Sequence, residues 1–194
     1  MKFILLALSL LVVSCSQMSV KLKDNDIKPF DEFSKVKKLN EPIGPIKIEV
    51  VDARGLQRPN QVGSAYTGVQ YKKTPVLMKK NIDQYLSEEL KLKLADRNVL
   101  VNEEAEIAME VVITKLSVDE FIEKHMPERA VCEIELQFKS QYMAKNFNAR
   151  YWTEITSPGD LGDGTEKIAP TFASCVNVVV NKIVEDKKFR AYLQ

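Results

Sequence analysis

The 194-residue chain holds one histidine, His125, which excludes any catalytic or metal-binding arrangement that needs two imidazoles. Its seven glycines form no phosphate-cradling run, and neither G-x-S-x-G nor H-E-x-x-H occurs. With 28 basic and 27 acidic residues the formal net charge is +1. That balance gives no concentrated basic face, so nucleic acid is not an expected partner. Long apolar runs are scarce as well. Past Cys15 no stretch approaches the roughly 20 residues that a membrane-spanning helix takes.

The one marked apolar run opens the chain. Lys2 precedes an apolar segment from Phe3 to Val13, too short for a stable span but the right size for the core of a secretory leader. It closes in "VVSC", which resembles the lipobox of bacterial lipoprotein signal peptides. The resemblance implies that residues 1–14 are a signal peptide and that Cys15 receives the lipid and becomes the first residue of the mature protein. Each acyl CH₂ buried in the bilayer contributes roughly 0.8 kcal/mol, so several chains hold a protein at a membrane effectively for good. Ser16 and Gln17 follow the cysteine with no aspartate, a pattern that in enterobacterial lipoproteins resembles sorting to the outer membrane. A lipid-anchored periplasmic protein is therefore expected, with the membrane as one partner.

Two cysteines remain, Cys132 and Cys175. An oxidising compartment permits a disulfide, and both fall on apolar faces, so the pair either closes a bridge or stays as two inert core thiols.

From Cys15 to Pro45, lysines, acids and prolines mix without sustained periodicity, which predicts a flexible tether over residues 15–45. The domain proper is expected over 46–194. "IKIEVVDA" alternates as a half-buried strand from Ile46. After a loop, Thr74 and Pro75 have the chemistry of a helix N-cap and first helical residue, and Met78, Ile82, Tyr85, Leu86 and Leu90 follow at helical spacing. "VLV" at 99–101 is a short strand. Alternation at Ile107–Ile113, Cys132–Phe138 and Phe147–Tyr151 predicts a three-stranded antiparallel meander turning near Lys145 and Asn146. Phe172, Cys175, Val176, Val179 and Ile183 share one helical stripe that closes the chain. The expected fold class is α+β, a two-layer β-α-β-β-β-α domain with two helices on one face of a mainly antiparallel sheet.

Chemistry-bearing clusters are few. Asp160 and Asp163 in "GDLGDG" lack the ligand spacing of an EF-hand and read as turn residues. Glu133 and Glu135 share a strand face with Lys139, as on a solvated sheet surface. Trp152 shares its strand face with Asn148, Arg150 and Glu154, so its indole is either covered by a loop or part of a contact surface. Asp52, Arg54 and Gly63 in "VVDARGLQRPNQVGSAY" form a candidate contact loop, with Gly63 there to permit a positive φ. Asp52 has no identifiable partner base or nucleophile. No enzyme activity, catalytic residue, metal or cofactor is expected.

The succession of lipobox, "VVDAR", "VGSAY", "TP", "ADRNVLV" and a closing "FRAYLQ" resembles the YajG-like family of bacterial lipoproteins over residues 46–194. It departs from that family at Arg97 and Asn98, where glycine is common. The resemblance implies an envelope lipoprotein with no defined molecular role. The expected function is a non-enzymatic, membrane-anchored binding or assembly module with an envelope protein as partner. The alternatives are an auxiliary subunit or carrier in envelope lipid transport, or a small-ligand-binding periplasmic domain.

Overall fold

Alternating side chains and a central strand with three neighbours organise the protein. The computed structural model describes residues 19–22, 27–67, 72–122, 128–157 and 164–194. The leader, Cys15, His125, Asp160 and Asp163 lie outside them. The chain runs β1 (Val20–Lys21), β2 (Ile43–Asp52), β3 (Gln61–Thr67), β4 (Lys72–Leu77), α1 (Ile82–Ala95), β5 (Val99–Val101), β6 (Ile107–Phe121), β7 (Arg129–Tyr142), β8 (Lys145–Thr156), α2 (Gly164–Glu185) and α3 (Lys187–Leu193).

β6 is the longest strand. β7 pairs with it antiparallel along most of its length, and β8 continues that meander as expected. The other side of β6 is divided. β2 runs parallel to its first half, Ile46–Asp52 against Ile107–Ile113, and β3 runs parallel to Val118 and Asp119 near its end. Beyond β2 lies β5; beyond β3 lie β4 and then β1. Among the described residues the result is an eight-stranded mixed sheet with three α-helices, larger than the six-element β-α-β-β-β-α pattern expected.

The helices cover one face. Met109, Val111, Ile113, Ile134, Leu136 and Phe138 point into the core beneath them. α1 buries Ile82, Tyr85, Leu86, Leu90 and Leu94 at helical spacing. In α2 the anticipated stripe of Phe172, Cys175, Val176, Val179 and Ile183 is buried. The helix then breaks at Asp186, which accepts the Lys188 N–H and starts α3. Asp186 also accepts the Tyr151 hydroxyl at 2.7 Å, tying the break to β8. Phe138, Phe147, Tyr151, Phe189 and Tyr192 interlock nearby, Phe138 and Tyr151 edge to face at 5.5 Å.

Four sequence expectations need correction. Residues 61–67 form β3 rather than a loop. Thr74 and Pro75 belong to β4, where the Thr74 hydroxyl donates to the Ala65 carbonyl at 3.2 Å, and α1 starts after Asn81. Strand pairing overrides the local N-cap chemistry of "TP". The β7–β8 turn is Met143–Ala144, two residues earlier than expected, with Met143 at φ 52°.

The fourth concerns the tether. Residues 27–42 lie along α2 as a strap, and β2 begins at Ile43. The Phe30 N–H donates to Ser174 Oγ at 3.0 Å, Asn177 donates to Phe33 O at 2.5 Å, and Asn181 donates to Lys35 O at 2.9 Å. Farther along, Leu39 N–H donates to the Arg97 carbonyl, and Asn98 donates to the Leu39 carbonyl. Before the strap, β1 pairs with Val76 and Leu77 of β4 and Leu22 is buried. Order here comes from polar side chains meeting backbone, which hydrophobic periodicity does not register.

Candidate functional site

The stretch after β2 closes a gap in the sheet. At Ala53 the chain leaves β6, donating its N–H to Ile113 O, and β3 takes over farther along after a register shift in β6 between Ile113 and Lys115. Arg54 fills the interval. Its Nη1 donates to Gln61 O at 2.9 Å and Leu116 O at 3.2 Å, supplying bonds that neither parallel neighbour provides. Asp52 orients it through Nε–Oδ1 and Nη2–Oδ2 contacts of 2.8 and 2.7 Å. The Arg54 side chain is 4% exposed and that of Asp52 14%. Burial would raise the Asp52 carboxyl, but hydrogen bonds from the Arg54 side chain and backbone, with its charge, outweigh that and hold it below the usual range.

Gly63 serves the same junction by a different route from the one expected. Positive φ belongs to Gly55 (70°), not to Gly63. A Cβ at Gly63 would lie 1.8 Å from the Val118 carbonyl oxygen, so glycine is what lets β3 approach β6. Asp52, Arg54 and Gly63 are thus brought together, as a clip at a strand changeover rather than as groups held out to a ligand. Beside them lies an open depression of about 380 Å³ lined partly by the exposed Val51 and Leu56.

A second buried polar centre escaped sequence reading. Arg97, 1% exposed, donates to Lys93 O, Asn181 Oδ1 and Asn177 Oδ1 at 2.8, 2.9 and 2.5 Å. Burial lowers its pKa, against the opposing charge of Asp96. The two asparagines use their other ends to hold the strap. The available signal was the polar series Ser174, Asn177, Asn181 on an otherwise apolar helix. Asn98, with φ 65°, takes the left-handed position after α1 that glycine commonly fills.

Cys132 of β7 and Cys175 of α2 meet in the core as free, fully buried thiols. Burial first, and then the hydrogen bond and charge of Cys175, push the Cys132 thiol well above its ordinary value. Among the described residues no group of three His, Cys, Asp or Glu side chains is placed to hold a metal.

The sheet face away from the helices is open to solvent. Along β8 every even-numbered residue from Asn146 to Thr156 is exposed and odd-numbered ones face inward. Trp152, 47% exposed, donates its indole N–H to Glu133 Oε1 at 2.9 Å. Glu133 also pairs with Lys115 at 2.6 Å, which with the indole bond lowers its pKa. Arg150 lies 3.4 Å from Glu135. Trp152 is therefore held in place while remaining on the surface, and among the described residues no loop covers its indole.

Comparison with known proteins places the fold in context. A Xanthomonas campestris protein of family DUF330 is 12% identical, with 77% of this chain and 88% of that one covered at a TM-score of 0.53. A hypothetical protein from Chlamydia trachomatis is 8% identical, with 73% and 95% covered at 0.48. The first likeness supports the fold alone. No curated protein matches the chain. Among the described residues no helix is long and apolar enough to cross a membrane. A family model described as an uncharacterized lipoprotein matches residues 37–194, a span that takes in the Asp52–Arg54 clip, strands β2 to β8 and all three helices, and the chain belongs to that YajG-like lipoprotein family.

Proposed function

We propose that this lipid-anchored envelope protein is a non-enzymatic binding or assembly module, held through acylated Cys15 at the outer membrane and facing the periplasm. The observation that carries the reading is Trp152, exposed on a strand whose outer side no helix among the described residues covers, yet fixed by Glu133. A large aromatic held in one orientation loses little conformational entropy on contact, which suits a binding surface. The Asp52–Arg54 clip supports the same reading, because both groups are consumed by each other and by backbone carbonyls.

Two experiments test it separately. Replacing Cys15 by serine should move the protein from the membrane to the soluble fraction of lysed cells; continued pelleting with membranes rejects the anchor. A photo-crosslinking residue at position 152 should form protein adducts in cells that the same residue at exposed Leu92 of α1 does not. Equal or absent adducts at both positions reject the contact surface.

A further inference from the structure

The sheet ends in edges of very different length. β1 offers two residues and β5 three, whereas β8 presents a twelve-residue edge, and among the described residues no strand pairs with its outer side. Long uncovered edges are unusual in soluble proteins because they invite pairing with another strand. The direction of this edge is marked by Lys182, whose Nζ reaches from α2 to donate to the Trp152 carbonyl at 2.8 Å. Backbone groups of successive strand residues point to alternate sides, so those of Asn148, Arg150, Trp152, Glu154 and Thr156 turn outward together.

We infer that β8 pairs antiparallel with β8 of a second copy, with Trp152 facing Trp152 on the two-fold axis. The inference rests on the contact-surface reading and names its partner. Charge selects the register. Centring the pair on Arg150 sets two guanidinium groups face to face, which is unfavourable. Centring it on Trp152 places Arg150 opposite Glu154 of the second copy, and Glu154 opposite Arg150, so one strand complements itself twice. On the inner face the same register sets Ala149 against Ile155 and Tyr151 against Thr153, which extends the apolar layer across the axis. The contact is isologous and closed, a two-fold dimer rather than an open filament. It displaces the Lys182–Trp152 carbonyl bond in each copy and gains the ladder bonds of all outward-turned residues from Asn148 to Thr156. Two anchored copies also hold the membrane with twice as many acyl chains.

The test uses the full lipidated chain in detergent, followed by sedimentation and native mass spectrometry. A dimer is expected. Arg150→Glu and Glu154→Arg should each weaken it about tenfold or more, a loss of roughly 1.4 kcal/mol, and the combined reversal should restore it. A monomeric wild-type chain, single reversals that dimerise normally, or a double reversal that stays weak each overturn the proposal. In cells, Trp152→Cys with a bismaleimide should yield a covalent dimer, while the wild-type chain, whose Cys132 and Cys175 are buried, yields none. If position 152 instead captures a different protein and the chain is monomeric, self-pairing is rejected and the contact surface stands. Absence of any adduct rejects both.

Discussion

Arg54 turns back onto Asp52, two residues earlier, and reaches across to the carbonyl of Leu116, so one guanidinium bridges the point where β2 yields to β3. Replacing Arg54 by alanine removes donors from two carbonyls and leaves the Asp52 carboxylate in a half-closed site. A loss of about 3 kcal/mol is expected from urea denaturation.

The same pair sets an acid limit. Because the Asp52 pKa is lowered on folding, its contribution is fully present above the unfolded carboxylate value of about 4 and is lost as pH falls through the folded value. Asp52→Asn should therefore cost stability at pH 7 and flatten the acid limb below the unfolded carboxylate value of about 4. A wild-type and variant difference that does not shrink on acidification contradicts this account.

Gly63→Ala and Gly55→Ala separate two uses of glycine. At Gly55 the space around a Cβ is open and only the positive φ resists, which costs about 1 kcal/mol. At Gly63 the new methyl meets Val118 backbone, so β3 must shift, at a cost of about 3 kcal/mol or more. Amide exchange should rise in β3 for Gly63→Ala alone.

Asn177→Ala removes an acceptor from buried Arg97 and the donor that holds Phe33 O. About 2 kcal/mol should be lost. Faster amide exchange should appear at residues 30–39, the strap, before it appears in β6 or β7. Uniform acceleration across the sheet would mean that the strap and core open as one unit.

Cys132 and Cys175 should not react with an aromatic disulfide reagent in the native protein and should titrate as two thiols after unfolding. A native protein that shows no thiols even in denaturant carries a bridge instead.

Much of the fold was legible where one face is wet and the other buried. Alternation in Cys132–Phe138 and Phe147–Tyr151 located β7 and β8 because one side is buried while the other is half-buried in β7 and exposed in β8. β3 was missed because "QVGSAYT" is small and mixed, and its strand character comes from its partners: β4, whose Thr74 and Pro75 read as a helix start, and Val118 and Asp119, far away in sequence. Thr74 and Pro75 misled because local capping chemistry is the same in a strand, where only the partner decides. Arg97 was invisible since an arginine after a helix usually lies in solvent; its burial depends on two asparagines some 80 positions later. The loop at Asp52 was legible as distinctive, yet its role required knowing that β6 changes neighbours there.

The docking of the N-terminal segment also gives the protein a mechanical character. With the anchor proposed at Cys15, tension from the membrane side would meet β1 first, a two-residue pairing on β4. Next come the bonds that Ser174, Asn177 and Asn181 make to the strap and those joining Leu39 to Arg97 and Asn98, and only then β2, embedded between β5 and β6. These contacts can yield one after another, each releasing more chain. Five residues from Cys15 to Val20 reach about 17 Å when extended, and peeling back to Ile43 lengthens that to roughly 95 Å. On that proposal the N-terminal segment acts as a graded leash, released stepwise under load, with the sheet the last part to feel the pull.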